Sequence, residues 1–139
     1  MQEPKKFKEE DCMRKQALLI AVVLLSAAFL GISQNIPKVV ADIPFSFMAG
    51  GKTLPAGSYQ FKEGNTPKQI TIRDNKTNES IIVMVLTRIS ARSGNAIDVV
   101  FDKVGTEYFL SEIQMPGVDG FVFQGAPDAH THASIRAKQ

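Results

Sequence analysis

The chain has 139 residues and a mass of 15.2 kDa, which suffices for one domain and excludes an enzyme with separate substrate and cofactor domains. Its 16 Lys and Arg against 14 Asp and Glu give a net charge of +2, without the basic excess of nucleic-acid-binding proteins. Hydrophobic residues at 44% and charged residues at 22% match a folded globular protein.

An apolar run over residues 17–32 follows Arg14 and Lys15, which is the layout of a secretory signal. As a helix these 16 residues would reach about 24 Å, short of the roughly 30 Å of bilayer hydrocarbon. We therefore expect residues 1–33 to be a signal peptide cleaved before Gln34, and the protein to be secreted or periplasmic. The alternative is an uncleaved anchor over residues 17–32, through which alone the protein would contact a membrane.

The only cysteine, Cys12, precedes the apolar run. After cleavage the chain would contain no cysteine, so no disulfide could restrain its unfolded state. We therefore expect the exported domain to be stabilised by packing of its core alone.

Apolar and polar residues alternate with the period of two of a β-strand along most of the remaining chain. The clearest example runs from Val39 to Phe47, where Pro44 predicts a sheet edge or a bulge because proline lacks a backbone donor. Turn residues recur at intervals of roughly 8 to 12 residues, as in sandwiches and small barrels. We predict an all-β domain over residues 34–125, an antiparallel β-sandwich or small barrel of about seven strands, and a flexible C-terminal tail over residues 126–139.

One predicted strand, over residues 80–89, is apolar on both faces. We expect it to be a buried central strand, since such strands need cover on both sides. In the alternative, Ile82, Met84 and Leu86 form an interaction face for a partner.

The C-terminal segment contains a group of residues that could bind a metal ion. Asp128, His130 and His132 alternate, so all three side chains would share one side if the segment were extended. Zinc and copper accept such ligands. A mobile tail must become ordered as it binds the ion, and this disfavours tight binding. Metal binding through these three residues is therefore the alternative function.

Enzymatic chemistry finds little support in the sequence. Beyond the leader there is no cysteine, and both histidines lie in the predicted tail, so a nucleophile paired with a base is not expected. A glycan-processing enzyme would need two carboxylates, but the period places Asp98 and Asp102 on an outward face that we expect to be solvated. Glu107 and Glu112 complete this set, and nothing selects a pair among the four, so a glycan-processing enzyme is the less favoured alternative after metal binding.

Three segments of the chain together form a pattern, which is defined by their order and spacing. They are Asp42-Ile43-Pro44-Phe45-Ser46-Phe47, Gly51-Lys52-Thr53-Leu54-Pro55-Ala56-Gly57-Ser58-Tyr59 and Tyr108-Phe109-Leu110-Ser111-Glu112. This pattern resembles a family of small exported bacterial proteins. The resemblance implies export and a compact β domain, and it carries no activity, cofactor or catalytic residue.

The sequence thus favours an exported, non-enzymatic β domain of the cell envelope or extracellular space, with a binding or structural role. We expect its partner to be a protein or a glycan of the envelope, and we expect no cofactor and no nucleic acid.

Overall fold

The computed structural model describes residues 38–139, which contain no helix and form eleven strands in two sheets. The all-β prediction is therefore confirmed for this part of the chain, although with eleven strands instead of about seven. The predicted signal peptide over residues 1–33, its cleavage site and the alternative anchor over residues 17–32 lie outside the described residues. Within the described residues there is no helix long and apolar enough to cross a bilayer. The strands are β1 Lys38–Ile43, β2 Phe47–Ala49, β3 Lys52–Leu54, β4 Gly57–Glu63, β5 Gln69–Asp74, β6 Ser80–Met84, β7 Thr87–Ile89, β8 Ile97–Val104, β9 Glu107–Gln114, β10 Gly120–Val122 and β11 Thr131–Ala137.

The first sheet has the strand order β1-β4-β5-β6, and all of its neighbours are antiparallel. The second sheet follows the path β11-β8-β9-β10-β7. Strand β2 joins this second sheet through a parallel contact with β9 and an antiparallel pairing with β3. Consecutive antiparallel pairing of β4, β5 and β6, and of β8 and β9, agrees with the turn residues between them.

The segment from Val39 to Phe47 was predicted as one strand, but it divides between the sheets. Strand β1 ends at Ile43 in the first sheet and β2 begins at Phe47 in the second. Pro44 lies at this crossing, and β1 is an edge strand of its sheet, as the missing proline donor predicts. Phe45 remains half-buried between the strands and stacks on Tyr108 with ring centroids 3.7 Å apart.

Side chains from both sheets contribute to one apolar core. The inward residues of β8, Val99 and Phe101, are both 0% exposed. The Phe101 ring meets Phe47 edge-on with centroids 5.2 Å apart, and Phe47 meets Tyr59 of the first sheet in the same manner. Aromatic contacts of this type add to the burial of apolar area and connect the two sheets.

The prediction of one buried central strand over residues 80–89 was wrong. This segment breaks into β6 and β7, and β6 is the edge strand of the first sheet. Only Val83 of β6 is buried, whereas Ile82 and Met84 are 62% and 58% exposed. A strand with apolar residues on both faces is buried only where a second layer covers its outer face, and no layer of residues 38–139 covers that face of β6.

The flexible tail predicted over residues 126–139 was also wrong. Residues Thr131–Ala137 form β11, which pairs antiparallel with β8 along its whole length. Lys138 then exchanges two backbone hydrogen bonds with Val40 of β1, at 2.8 and 2.9 Å. The apolar alternation of this strand is weak, because two of its three inward residues, Ala133, Ile135 and Ala137, are small alanines.

A tyrosine side chain stabilises the turn before β4 through a hydrogen bond. The Tyr59 hydroxyl donates a hydrogen bond of 2.6 Å to the carbonyl oxygen of Pro55. Burial raises the pKa of this hydroxyl, and the negative charge of Asp74 raises it further. The folded state therefore favours the neutral phenol, so this contribution to stability is present below about pH 10 and is lost as the pH rises through the folded-state pKa.

We expect Tyr59→Phe to lower the free energy of unfolding by about 1 kcal/mol at neutral pH, because Pro55 loses its donor. The variant should also lose less stability than the natural protein between neutral pH and about pH 11. Urea denaturation at both pH values measures these effects, with Tyr108→Phe as the control. Equal stability of Tyr59→Phe and the natural protein at neutral pH would contradict the assigned role of the hydroxyl.

Candidate metal centre

Asp102 is a buried carboxylate on the outer face of β8. It lies next to Phe101 in sequence, so its side chain points away from the core, yet it is only 3% exposed. The period placed Asp102 on the outward face correctly, but the expectation that this face is solvated was wrong. The later part of the chain crosses over it on the way from β10 to β11.

Gly125 brings this crossing segment directly onto the carboxylate. A Cβ atom at this position would overlap Asp102 Oδ2 and would lie 3.3 Å from Ser111 Oγ. Glycine is therefore required here by a close approach. The next residue, Ala126, donates its backbone N–H to Asp102 Oδ2 at 3.0 Å. Oδ2 of Asp102 therefore binds the segment that crosses over the carboxylate.

The other oxygen faces the two histidines of the chain. His132 lies opposite Asp102 in the pairing of β11 with β8, and its Nδ1 is 3.1 Å from Asp102 Oδ1. His130 lies just before β11, and its Nε2 is 3.4 Å from the same oxygen. The two rings are nearly perpendicular, with centroids 5.0 Å apart. Their spacing of two residues places both rings on the side of Asp102, as the alternation predicted.

Asp102 Oδ1 is buried, and no donor among the described residues forms a hydrogen bond with it. Both imidazole nitrogens lie within ion-pair distance, but neither contact has hydrogen-bond geometry. A buried carboxylate oxygen without a donor or a cation is costly. A metal ion bound between the oxygen and the two nitrogens would compensate this charge directly.

His130 is oriented by a second contact, and this contact determines which nitrogen is free. Its Nδ1 lies 2.8 Å from the carbonyl oxygen of Asp128. Because a carbonyl oxygen only accepts, a proton on Nδ1 makes this hydrogen bond and leaves the lone pair on Nε2 in the neutral ring. Such hydrogen bonds from the non-ligating nitrogen are usual for metal-binding histidines.

The predicted ligand set of Asp128, His130 and His132 therefore needs one correction. The described groups that converge are His130, His132 and Asp102, with Asp128 supplying its backbone carbonyl to His130. The three ligand atoms lie within 4.8 Å of one another. In a tetrahedral zinc site, ligands at about 2.0–2.1 Å from the ion lie about 3.3 Å apart, close to both observed separations from Asp102 Oδ1.

The site is open toward solvent. The side chains of His130 and His132 are 29% and 59% exposed, whereas that of Asp102 is 4% exposed. An ion could enter from the histidine side, and exposed rings can rotate to adjust their separation. Three protein ligands leave a fourth position for water or another small ligand.

Other residues proposed from the sequence lie elsewhere. Asp98, on the outer face of β8, forms ion pairs with two arginines, with Arg136 at 3.0 Å and with Arg92 at 3.5 Å. Leu86 is 66% exposed beyond the end of β6, and in the sequence it continues the alternation of the exposed Ile82 and Met84. This trio stays a predicted interaction face.

Sequence reasoning missed Asp102 as a ligand, because its partners are about 30 residues away along the chain. A usable sequence signal for β11 was the alternation of Ala133, Ile135 and Ala137 with polar residues, which predicts a strand where a flexible tail was expected. Comparison with protein-family models, curated proteins and solved structures finds no match for this chain.

Proposed function

We propose that the protein is an exported, non-enzymatic β-sandwich domain that binds a divalent transition-metal ion through Asp102, His130 and His132. The observation that carries the proposal is the buried Asp102 Oδ1, which has no hydrogen-bond donor and faces both imidazoles. Export is supported by the apolar run over residues 17–32 and the basic residues before it.

The donor set favours a particular class of ion. Two imidazole nitrogens and one carboxylate oxygen suit zinc and copper, whereas calcium and magnesium prefer oxygen ligands alone. We assign no catalytic role, because among the described residues the metal-binding side chains that converge here are the three ligands themselves. A hydrolytic zinc enzyme would need a further general base beside them.

We expect the metal-free protein to bind one zinc ion per chain, measured by isothermal titration calorimetry with inorganic zinc. Asp102→Asn should weaken binding by at least about 100-fold, because it removes the buried negative ligand while keeping the side-chain shape. His132→Ala should have an effect of similar size. Copper is the second ion to titrate.

Asp128→Asn is the matched control, because it leaves the backbone carbonyl that orients His130 in place. We expect it to bind zinc as the natural protein does. Absence of heat with both zinc and copper would refute the proposal. Loss of binding in Asp128→Asn with full binding in Asp102→Asn would refute the ligand set.

A further inference from the structure

A second feature, independent of the metal centre, is a cavity of about 220 Å³ between the two sheets. Its walls come from buried apolar side chains of both sheets. They are Val39, Phe61 and Ile70 from the first sheet, Ile113 and Phe121 from the second, and Met115 just after the end of β9. The cavity is open at one side, where the 44% exposed Val118 lies. An apolar space that residues 38–139 leave unfilled lacks packing contacts that a ligand could supply.

The volume limits the size of the ligand. An apolar protein cavity of about 150 Å³ holds one benzene molecule, so a space of this volume accommodates an apolar body of about eight carbons. The apolar walls offer such a body no hydrogen-bonding partner, and the two polar lining residues, Glu63 and Arg88, are partly exposed and pair with each other. The part of the ligand inside the cavity is therefore a hydrocarbon.

Arg88 provides the polar group at the opening. Its guanidinium carbon lies 4.0 Å from the centre of the Phe121 ring, which is part of the cavity wall. Its Nη2 donates to the backbone carbonyl of Asp119 at 3.4 Å, and its Nη1 pairs with Glu63 Oε1 at 3.0 Å. The arginine is thus held by three contacts, of which only the last is with a charged group.

These contacts distinguish an anionic head group from a cationic one. The Arg88–Glu63 pair is partly exposed, at 38% and 31% of the two side chains, and pairs of this kind contribute little to stability. A ligand carboxylate could replace Glu63 and use the planar guanidinium in a two-point contact. A ligand ammonium could pair with Glu63, but Arg88 would remain beside it on Phe121 and Asp119, and the two positive charges would repel each other.

We propose that this cavity binds a medium-chain carboxylic acid, with its alkyl chain between the sheets and its carboxylate on Arg88. This proposal does not depend on metal binding. It adds a site for a small amphipathic anion to the same domain.

The test uses octanoate, octanol and octylammonium, which share one chain and differ in the head group. Each is titrated by calorimetry into the chelator-treated protein, so that octanoate has no metal ion to bind. Octanoate should bind at least about 10-fold more tightly than octanol, and octylammonium more weakly than both. Nuclear Overhauser contacts from the octanoate chain should reach the methyl groups of Ile70 and Ile113.

Arg88→Gln should abolish the preference for octanoate over octanol. Arg73→Gln is the control, because this exposed arginine bonds Asn78 and does not line the cavity. Octanoate binding should persist in Asp102→Asn, which separates this site from the metal centre. The proposal is overturned if octanoate does not bind, if octanol binds equally well, if Arg88→Gln keeps the preference, or if the contacts map elsewhere.

Discussion

We expect a chain that stops after Gly125 to be unfolded at room temperature and to show no cooperative thermal unfolding transition. It lacks β11, which pairs with β8 from Thr131 to Ala137 and covers that edge of the second sheet. It also loses the two backbone hydrogen bonds between Lys138 and Val40, which connect β11 to the first sheet. Domains of this size have a total stability of roughly 5–15 kcal/mol, and the loss of an edge strand is comparable with that total.

Thermal unfolding followed by far-ultraviolet circular dichroism measures this effect. The matched control stops after Lys138, which removes only Gln139 and keeps β11 together with its bonds to Val40. We expect the control to unfold at the temperature of the natural protein. A chain ending at Gly125 that unfolded at that same temperature would show that residues 126–139 contribute nothing to the fold.

The second large effect concerns Gly125→Ala, which should weaken zinc binding by about 100-fold or more. The new Cβ would overlap Asp102 Oδ2, so either the carboxylate or the crossing segment must move. Both movements disturb the ligands, because the segment that follows Gly125 carries the two histidines. The hydrogen bond from Ala126 to Asp102 would be lost in the same change.

Zinc calorimetry and thermal unfolding of this variant separate an effect on the site from an effect on the fold. The control is Gly57→Ala on β4, where a Cβ would lie no closer than 3.5 Å to its neighbours, an ordinary contact. We expect Gly57→Ala to bind zinc normally. Full zinc affinity in Gly125→Ala would contradict the geometry on which the metal centre depends.

The fold class follows from local sequence patterns. Alternation places Tyr59 and Phe61 of β4, and Ile70 and Ile72 of β5, on the inward side, and these residues are buried. The glycines expected to reverse the chain, Gly50 and Gly51, have positive φ angles of 57° and 75°. These features depend on residues that are close together in the chain, so they can be predicted directly from the sequence.

Which surfaces are covered depends on contacts between distant segments. Residues 80–89 carry apolar side chains on both faces, a pattern that a central and an edge strand share until the neighbours are known. Residues 126–139 carry only a weak apolar alternation, since two of its three members, Ala133, Ile135 and Ala137, are small, yet the free edge of β8 provides hydrogen-bonding partners for a strand. Pairing with an existing edge overrides a weak intrinsic preference.

The amino-acid sequence by itself determined that residues 38–139 form a β domain, where its main turns lie, and that His130 and His132 point to one side. Only the tertiary structure decided that Asp102 is buried and meets these histidines, and that a cavity ends beside Arg88. The physical reason is that alternation assigns a side chain to a face of its own strand. The chain that later covers or pairs with that face is selected by the packing of the whole domain.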